Sequence, residues 1–144
     1  MLTKKTKYAL KALTCFARTG SSPLIQAPAL ANAERIPRKF LELILLELKN
    51  HGLLESRQGK GGGYRLAKPA SVITMGQVMR LMQGPLALTP CVNQTAYEKC
   101  EECLDENQCG MRLVMKEVRE ATAAILDATT LEDLLRKESG ASPD

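Results

Sequence analysis

Four of the five cysteines lie between Cys91 and Cys109, in the segment CVNQTAYEKCEECLDENQC. Thiolates hold iron–sulfur clusters and zinc, and they also exchange with disulfides. A metal site needs converging ligands, and a polar loop allows convergence. Eight residues separate Cys91 from Cys100, two separate Cys100 from Cys103, and five separate Cys103 from Cys109. A zinc ribbon usually has two CxxC knuckles, and this chain has one, Cys100-Glu101-Glu102-Cys103. The same pair could switch between dithiol and disulfide, although the flanking acids raise thiol pKa values and slow attack. A metal-free loop with incidental cysteines is the plain alternative. Cys15 falls inside an apolar helical pattern and reads as core.

Other chemistry is sparse. His51 is the single histidine and sits at a helix end, where capping carbonyls and complementing the dipole is its expected role. The stretch GKGGGY lacks GxxxxGK[ST] and is not followed directly by a helix, so a phosphate-loop enzyme is not indicated. Without a Ser/His/Asp or Cys/His arrangement, the chain is not expected to be an enzyme.

The elements that must carry these residues are legible from apolar spacing. A first helix runs from Thr3 to about Arg18, with Tyr8, Ala9, Ala12, Leu13 and Phe16 on one face and Thr3 or Thr6 as cap. Gly20-Ser21-Ser22-Pro23 breaks the chain. A short helix follows from about Gln26 to Ala33, with Ala27, Leu30 and Ala31 inward. A third begins with Pro37 in its first turn, buries Phe40, Leu41, Ile44, Leu45 and Leu48, and stops at Gly52. Only a short turn fits between the second and third, which is the helix-turn-helix arrangement. Leu54–Arg57 and Tyr64–Leu66 read as strands around a Gly-rich basic tip, a wing. Thr74–Gln83 is helical, with Val78, Met79 and Leu81 or Met82 inside. From about Gly110 to Asp127 runs the longest helix, carrying Met111, Val114, Val118, Ala121 and Ile125 near heptad spacing. A last helix covers Leu131–Lys137, and residues 138–144 read as a disordered tail. The organisation is a DNA-binding unit over residues 1–70 and a sensor loop with long helix over 71–137.

Charge is split along the chain. Residues 1–70 carry 13 Lys/Arg and 4 Asp/Glu, and residues 71–144 carry 7 and 12. The first half suits a polyanion. A recognition helix enters the major groove led by its N-terminal residues, here Arg38, Lys39 and Glu42. Arg suits guanine edges, Lys suits phosphates, and Glu can accept from cytosine. The wing adds Arg57, Gln58, Lys60, Gly61, Gly62 and Tyr64, with glycines permitting close approach to a phosphate. Lys4, Lys5 and Lys7 are further candidates for backbone contact. The expected partner is double-stranded DNA. The start of the chain is not expected to be a signal peptide, no stretch is long and apolar enough to span a membrane, and the expected location is a reducing cytoplasm.

TKYAL, IPRKFLELILLELKNHGLL, RQGKGGGYRLAKP and a cysteine segment before a long helix occur in that order. This resembles the Rrf-two family of bacterial winged-helix transcription regulators, over roughly residues 1–137. The resemblance implies a mainly α fold with a small β-wing, a winged helix-turn-helix followed by a long C-terminal dimerisation helix. It implies a homodimer on a near-palindromic site, with the Met111–Ile125 stripe as the seam. It also implies a cysteine-bound iron–sulfur cluster, [2Fe-2S] or [4Fe-4S]. Cluster-binding members carry three loop cysteines, the last two typically five residues apart, which matches Cys91, Cys103 and Cys109. Members complete the cluster with a histidine three positions after the last cysteine or with an acidic residue of the partner's first helix. Arg112 and Lys7 hold those positions here, so Cys100 is the favoured fourth ligand, ahead of Glu101, Glu102, Asp105, Glu106 or an exogenous group. The expectation is a cluster-controlled regulator, acting as a repressor. A zinc or thiol/disulfide regulator comes second, and an iron–sulfur carrier docking an acidic partner third.

Overall fold

The computed structural model describes residues 1–20 and 22–140. Among them are six α-helices and one two-stranded sheet. Their order is α1 (Lys4–Thr19), α2 (Ala27–Glu34), α3 (Arg38–Asn50), β1 (Leu54–Arg57), β2 (Gly63–Leu66), α4 (Met75–Gln83), α5 (Gly110–Ala128) and α6 (Leu131–Ser139). The fold is mainly α with a small β-wing, as the sequence predicts. Of the predicted break after α1, Ser21 lies outside the described residues.

Helix α1 begins where Thr3 Oγ1 accepts from the Thr6 amide at 3.1 Å, satisfying a donor that no helical carbonyl can reach. Its apolar stripe is buried at Ala9, Ala12, Leu13 and Phe16. Cys15 is buried there too, and burial, with the Glu34 carboxylate second, pushes its thiol pKa up. Such a thiol is packing rather than chemistry.

Helix α2 ends at Arg35, which adopts a left-handed φ of 55°. The Ile36 amide then donates to Ala31 O at 3.0 Å, and Pro37 lies at the N-cap of α3, one residue ahead of the expected first turn. Helix α3 buries Leu41, Ile44, Leu45 and Leu48, while Phe40 packs edge-on against Tyr8 at 5.5 Å between ring centroids. The His51 amide closes the helix on Glu47 O, and Gly52, at φ 79°, donates to Lys49 O. The imidazole of His51 is exposed and has no hydrogen bond among the described residues. Backbone groups and the glycine supply the stop, so the expected capping role for that ring is not what the fold uses.

Strands β1 and β2 pair antiparallel from Leu54↔Leu66 to Arg57↔Gly63. The tip is a turn in which the Gly62 amide donates to Gly59 O at 3.0 Å. Two glycines are required by the chain's own backbone. A Cβ on Gly62 would stand 2.2 Å from Arg57 O, and one on Gly63, at φ 144°, would stand 2.6 Å from Ile25 O. Gly63 approaches so closely because Tyr64 and Ile25 exchange two backbone hydrogen bonds of 2.8 Å, which hook the wing to the α1–α2 connection.

Beyond the wing, Thr74 caps α4, which buries Val78 and Met82 and leaves Met79 and Leu81 half-buried. Helices α4 and α5 approach closely at Gly76, where a Cβ would lie 1.9 Å from Asp127 Oδ1. Arg80 holds that carboxylate through two hydrogen bonds of 2.6 and 2.9 Å. A reciprocal Thr130–Asp133 capping box starts α6. The helix runs through Ser139, two residues past the predicted end, so Glu138 and Ser139 are helical rather than tail. Glu138 pairs with Arg18 of α1 at 2.8 Å. Residues 141–144 of the expected tail lie outside the described residues. A single core cluster joins α1, α2, α3, the wing, α4 and Leu131 of α6.

Gly63→Ala combines an unfavourable φ with a backbone clash and should destabilise the protein by about 1–3 kcal/mol. Urea unfolding would measure this, and hydrogen exchange should show early loss of protection at Ile25 and Tyr64. Wild-type protection at both amides would refute the account.

Candidate nucleic-acid interface and cysteine loop

The outward face of α3 lies opposite its buried face. Lys39, Glu42, Leu43 and Leu46 follow one another at helical spacing and are all exposed, as is Arg38 beside them. Arg38 Nε donates to Glu42 Oε1 at 3.0 Å, an i,i+4 pair that sets the guanidinium along the helix surface. Such an exposed pair contributes little stability and opens readily. Arg57, Gln58, Lys60 and Gly61 are exposed on the wing. None of the ion pairs among the described residues involves Lys39, Arg57 or Lys60. Arg65, by contrast, is held by Glu55 across the sheet.

Gly62 and Tyr64 are placed differently from the other predicted contacts. Gly62 is buried and Tyr64 half-buried, packed against the core. Their geometry holds the wing. Of the three N-terminal lysines, Lys5 is paired with Glu47 at 2.7 Å, and Lys4 and Lys7 are exposed. Leu43 and Leu46, 66% and 49% exposed, were missed by the sequence reading. The signal was present, since both fall at outward positions of the same helical wheel.

The cysteine loop spans residues 84–109 between α4 and α5 and contains only short 3-10 turns at Pro90–Val92 and Glu106–Gln108. It is fixed to α5 at both ends. Val92 is buried, and Arg119 Nη1 of α5 donates to its carbonyl at 2.6 Å. Cys109 is the N-cap residue of α5, and its carbonyl accepts from Leu113 N at 3.1 Å. Cys91 and Cys109 thus lie at the anchored ends, and Cys100 and Cys103 in the exposed middle.

No group of three or more His, Cys, Asp or Glu side chains is brought together as a metal site among the described residues. The Cys91 Sγ is 3.5 Å from the Thr89 hydroxyl. The Cys100 thiol donates to Glu102 Oε2 at 2.8 Å, and this hydrogen bond raises the thiol pKa and lowers that of the carboxyl. The donor set has the chemistry for iron or zinc, but a bound metal would require the loop to close and Cys100 to leave Glu102. Nearby, Tyr97 donates to Glu106, which holds the phenol pKa up. Arg112, three residues after Cys109, has a buried Nε without a hydrogen-bond partner among the described residues.

Helix α5 buries no side chain of its own. Met111, Val114 and Ile125 of its apolar stripe are exposed, Met111 to 78%. No described helix is long and apolar enough to cross a membrane.

Comparison with known proteins agrees with this geometry. The family model Rrf2, described as an iron-dependent transcriptional regulator, matches residues 2–137. A Rhodobacter capsulatus protein named rrf2-like is 38% identical, covering 94% of this chain and 92% of its own. The HTH-type transcriptional regulator NsrR of Geobacillus kaustophilus is 34% identical over 93% of this chain and 88% of its own. The solved structure of CymR, the global cysteine regulator of B. subtilis, superposes with a TM-score of 0.79 at 26% identity, covering 94% of this chain and 96% of that one. The chain belongs to the Rrf2 family of DNA-binding, winged-helix transcriptional regulators.

Proposed function

We propose that the protein is a homodimeric regulator whose affinity for a near-palindromic operator is set by an iron–sulfur cluster held in the cysteine loop. The carrying observation is the loop's attachment: a thiol-rich, irregular segment fastened at both ends to a helix whose own apolar stripe is bare. Cys91, Cys103 and Cys109 would hold the cluster, with Cys100 as fourth ligand. A bound cluster would supply sensitivity to redox state, oxygen or nitric oxide. The protein's own part is mechanical. Arg119 ties the Cys91 end to the middle of α5, and Cys109 begins that helix. Closing or opening the loop therefore pulls on α5. If α5 is the dimer seam, its tilt moves the two copies of α3, whose separation has to match one turn of B-DNA, roughly 34 Å. Repression is the expected sense.

In each copy, Arg38, Lys39 and Glu42 would face base edges and phosphates. Arg57, Gln58, Lys60 and Gly61 of the wing would follow the backbone. Gly62 and Tyr64 would support the wing from behind. The exposed Lys39, Arg57 and Lys60, unpaired among the described residues, favour this reading over an iron–sulfur carrier.

A second reading has a specific support. The Cys103 amide donates to Cys100 O at 3.0 Å, a turn that keeps this pair together, and the CymR relative is named a global cysteine regulator. A cluster-free regulator switching through Cys100 and Cys103, or through zinc, would use the same winged heads.

Protein purified without oxygen should be brown, with matched iron and sulfide, and should bleach in air. Changing all four loop cysteines to Ala should remove the colour and uncouple operator binding from oxygen. Colourless, iron-free wild type with regulated DNA binding would select the second reading. Arg38→Ala should weaken specific binding by about 1–3 kcal/mol in anisotropy titrations, relaxing one position of the site. Uniform weakening across sequences would show that it holds phosphate only. Val114→Glu should raise the dimer dissociation constant at least tenfold in sedimentation equilibrium, since it places a charge in an apolar seam. An unchanged constant would put the seam elsewhere.

A further inference from the structure

The α3 surface holds a feature that phosphate and guanine contacts do not use. Leu43, 66% exposed, stands in the middle of the outward stripe between Lys39 and Leu46, one residue after Glu42. On α3 the four core positions Leu41, Ile44, Leu45 and Leu48 complete the inner face without it. Nothing among the described residues covers Leu43, and its exposure adds nothing to folding. Its surroundings identify what would cover it. Arg38 and Lys39 stand one turn ahead of it on the same helix, and the wing that follows α3 in the chain carries the exposed cations Arg57 and Lys60, unpaired among the described residues. That setting matches a polyanion with an apolar knob at the bottom of its groove. In B-DNA the major groove offers one such knob, the C5-methyl group of thymine.

We infer that Leu43 reads a thymine methyl in each half-site of the operator, next to the base edges met by Arg38 and Glu42. This rests on the reading of α3 as the groove-entering helix and adds a specificity-determining residue to it. Leu43 lies on the second turn of α3, within the part that leads into the groove, while Leu46 lies a further turn back.

The test uses the full-length protein and a duplex enriched by it from a randomised library. Each thymine is replaced in turn by deoxyuridine, which removes only the methyl group, and binding is followed by fluorescence anisotropy. One thymine per half-site should respond, with wild-type affinity falling about fourfold per methyl. Leu43→Ala should lose about the same factor on the unmodified duplex and should no longer respond to deoxyuridine at that position. Its fold should be unchanged by circular dichroism, because the side chain lies outside the core. Indifference of the wild type to every substitution would overturn the assignment, as would a Leu43→Ala protein that keeps the response or weakens equally on all duplexes. Arg38→Ala separates this failure from a larger one. If Arg38→Ala still relaxes a base preference while deoxyuridine has no effect, only the Leu43 assignment falls. If no duplex is enriched, the reading of α3 itself falls.

Discussion

Everything in this chain is arranged around the burial of α1. Ala9, Ala12 and Leu13 are fully buried and Phe16 nearly so, and burial extends to Thr6, Leu10, Thr14 and Cys15, far beyond one narrow stripe. The helix touches α2 and α3, and also α4 and α6. The basic head and the helices that follow the wing therefore share a wall. Removing side-chain volume from that wall would create a cavity felt by both. The charge division at about residue 70 is therefore a surface property, while the interior is continuous.

From this wall a mechanical chain leads outward. Helix α4 lies on α1 and is pinned to α5 by the two Arg80–Asp127 hydrogen bonds, at a place where Gly76 leaves room for nothing larger. Helix α5 in turn holds the loop through Arg119 and Cys109. On the other side, α3 lies on α1 with Lys5 and Glu47 paired across the junction. Packed helices transmit displacement because close-packed interiors deform little. From the loop through α5, α4 and α1 to α3, each element touches the next.

The sequence made some of this legible and hid the rest for identifiable reasons. Local signals were sufficient for the helices: Thr3, Thr74 and the Thr130–Asp133 pair cap where capping rules put them, and the 3.6-residue spacing of α3 separates its two faces. Tertiary causes were not legible. Gly62 and Gly63 look like phosphate-binding glycines in the string, but their requirement comes from Arg57 and Ile25, which are apart from them in sequence and pressed against them in the fold. His51 does stand at the C-cap, but it closes α3 through its backbone amide, which any residue but proline carries, and not through the ring that the sequence draws attention to. The thiols are the clearest case. Spacing proposes ligands, yet convergence depends on the path of an irregular loop with few local constraints, and among the described residues no three potential ligands are gathered.

Two bare apolar surfaces remain, and their chemistry distinguishes what each can meet. The α5 stripe runs over about four turns and is bordered by both signs of charge, Lys116 and Arg119 with Glu117 and Glu120, so it suits another apolar helix and offers a polyanion no basic surface. The α3 surface is short and interrupted, with Lys39, Glu42 and Arg38 around Leu43, and Lys39 has no ion-pair partner among the described residues. A second protein helix placed there would bury those charges without partners, at a cost far above the gain from one or two leucines. DNA supplies phosphates for the cations and a methyl group for the leucine at the same time.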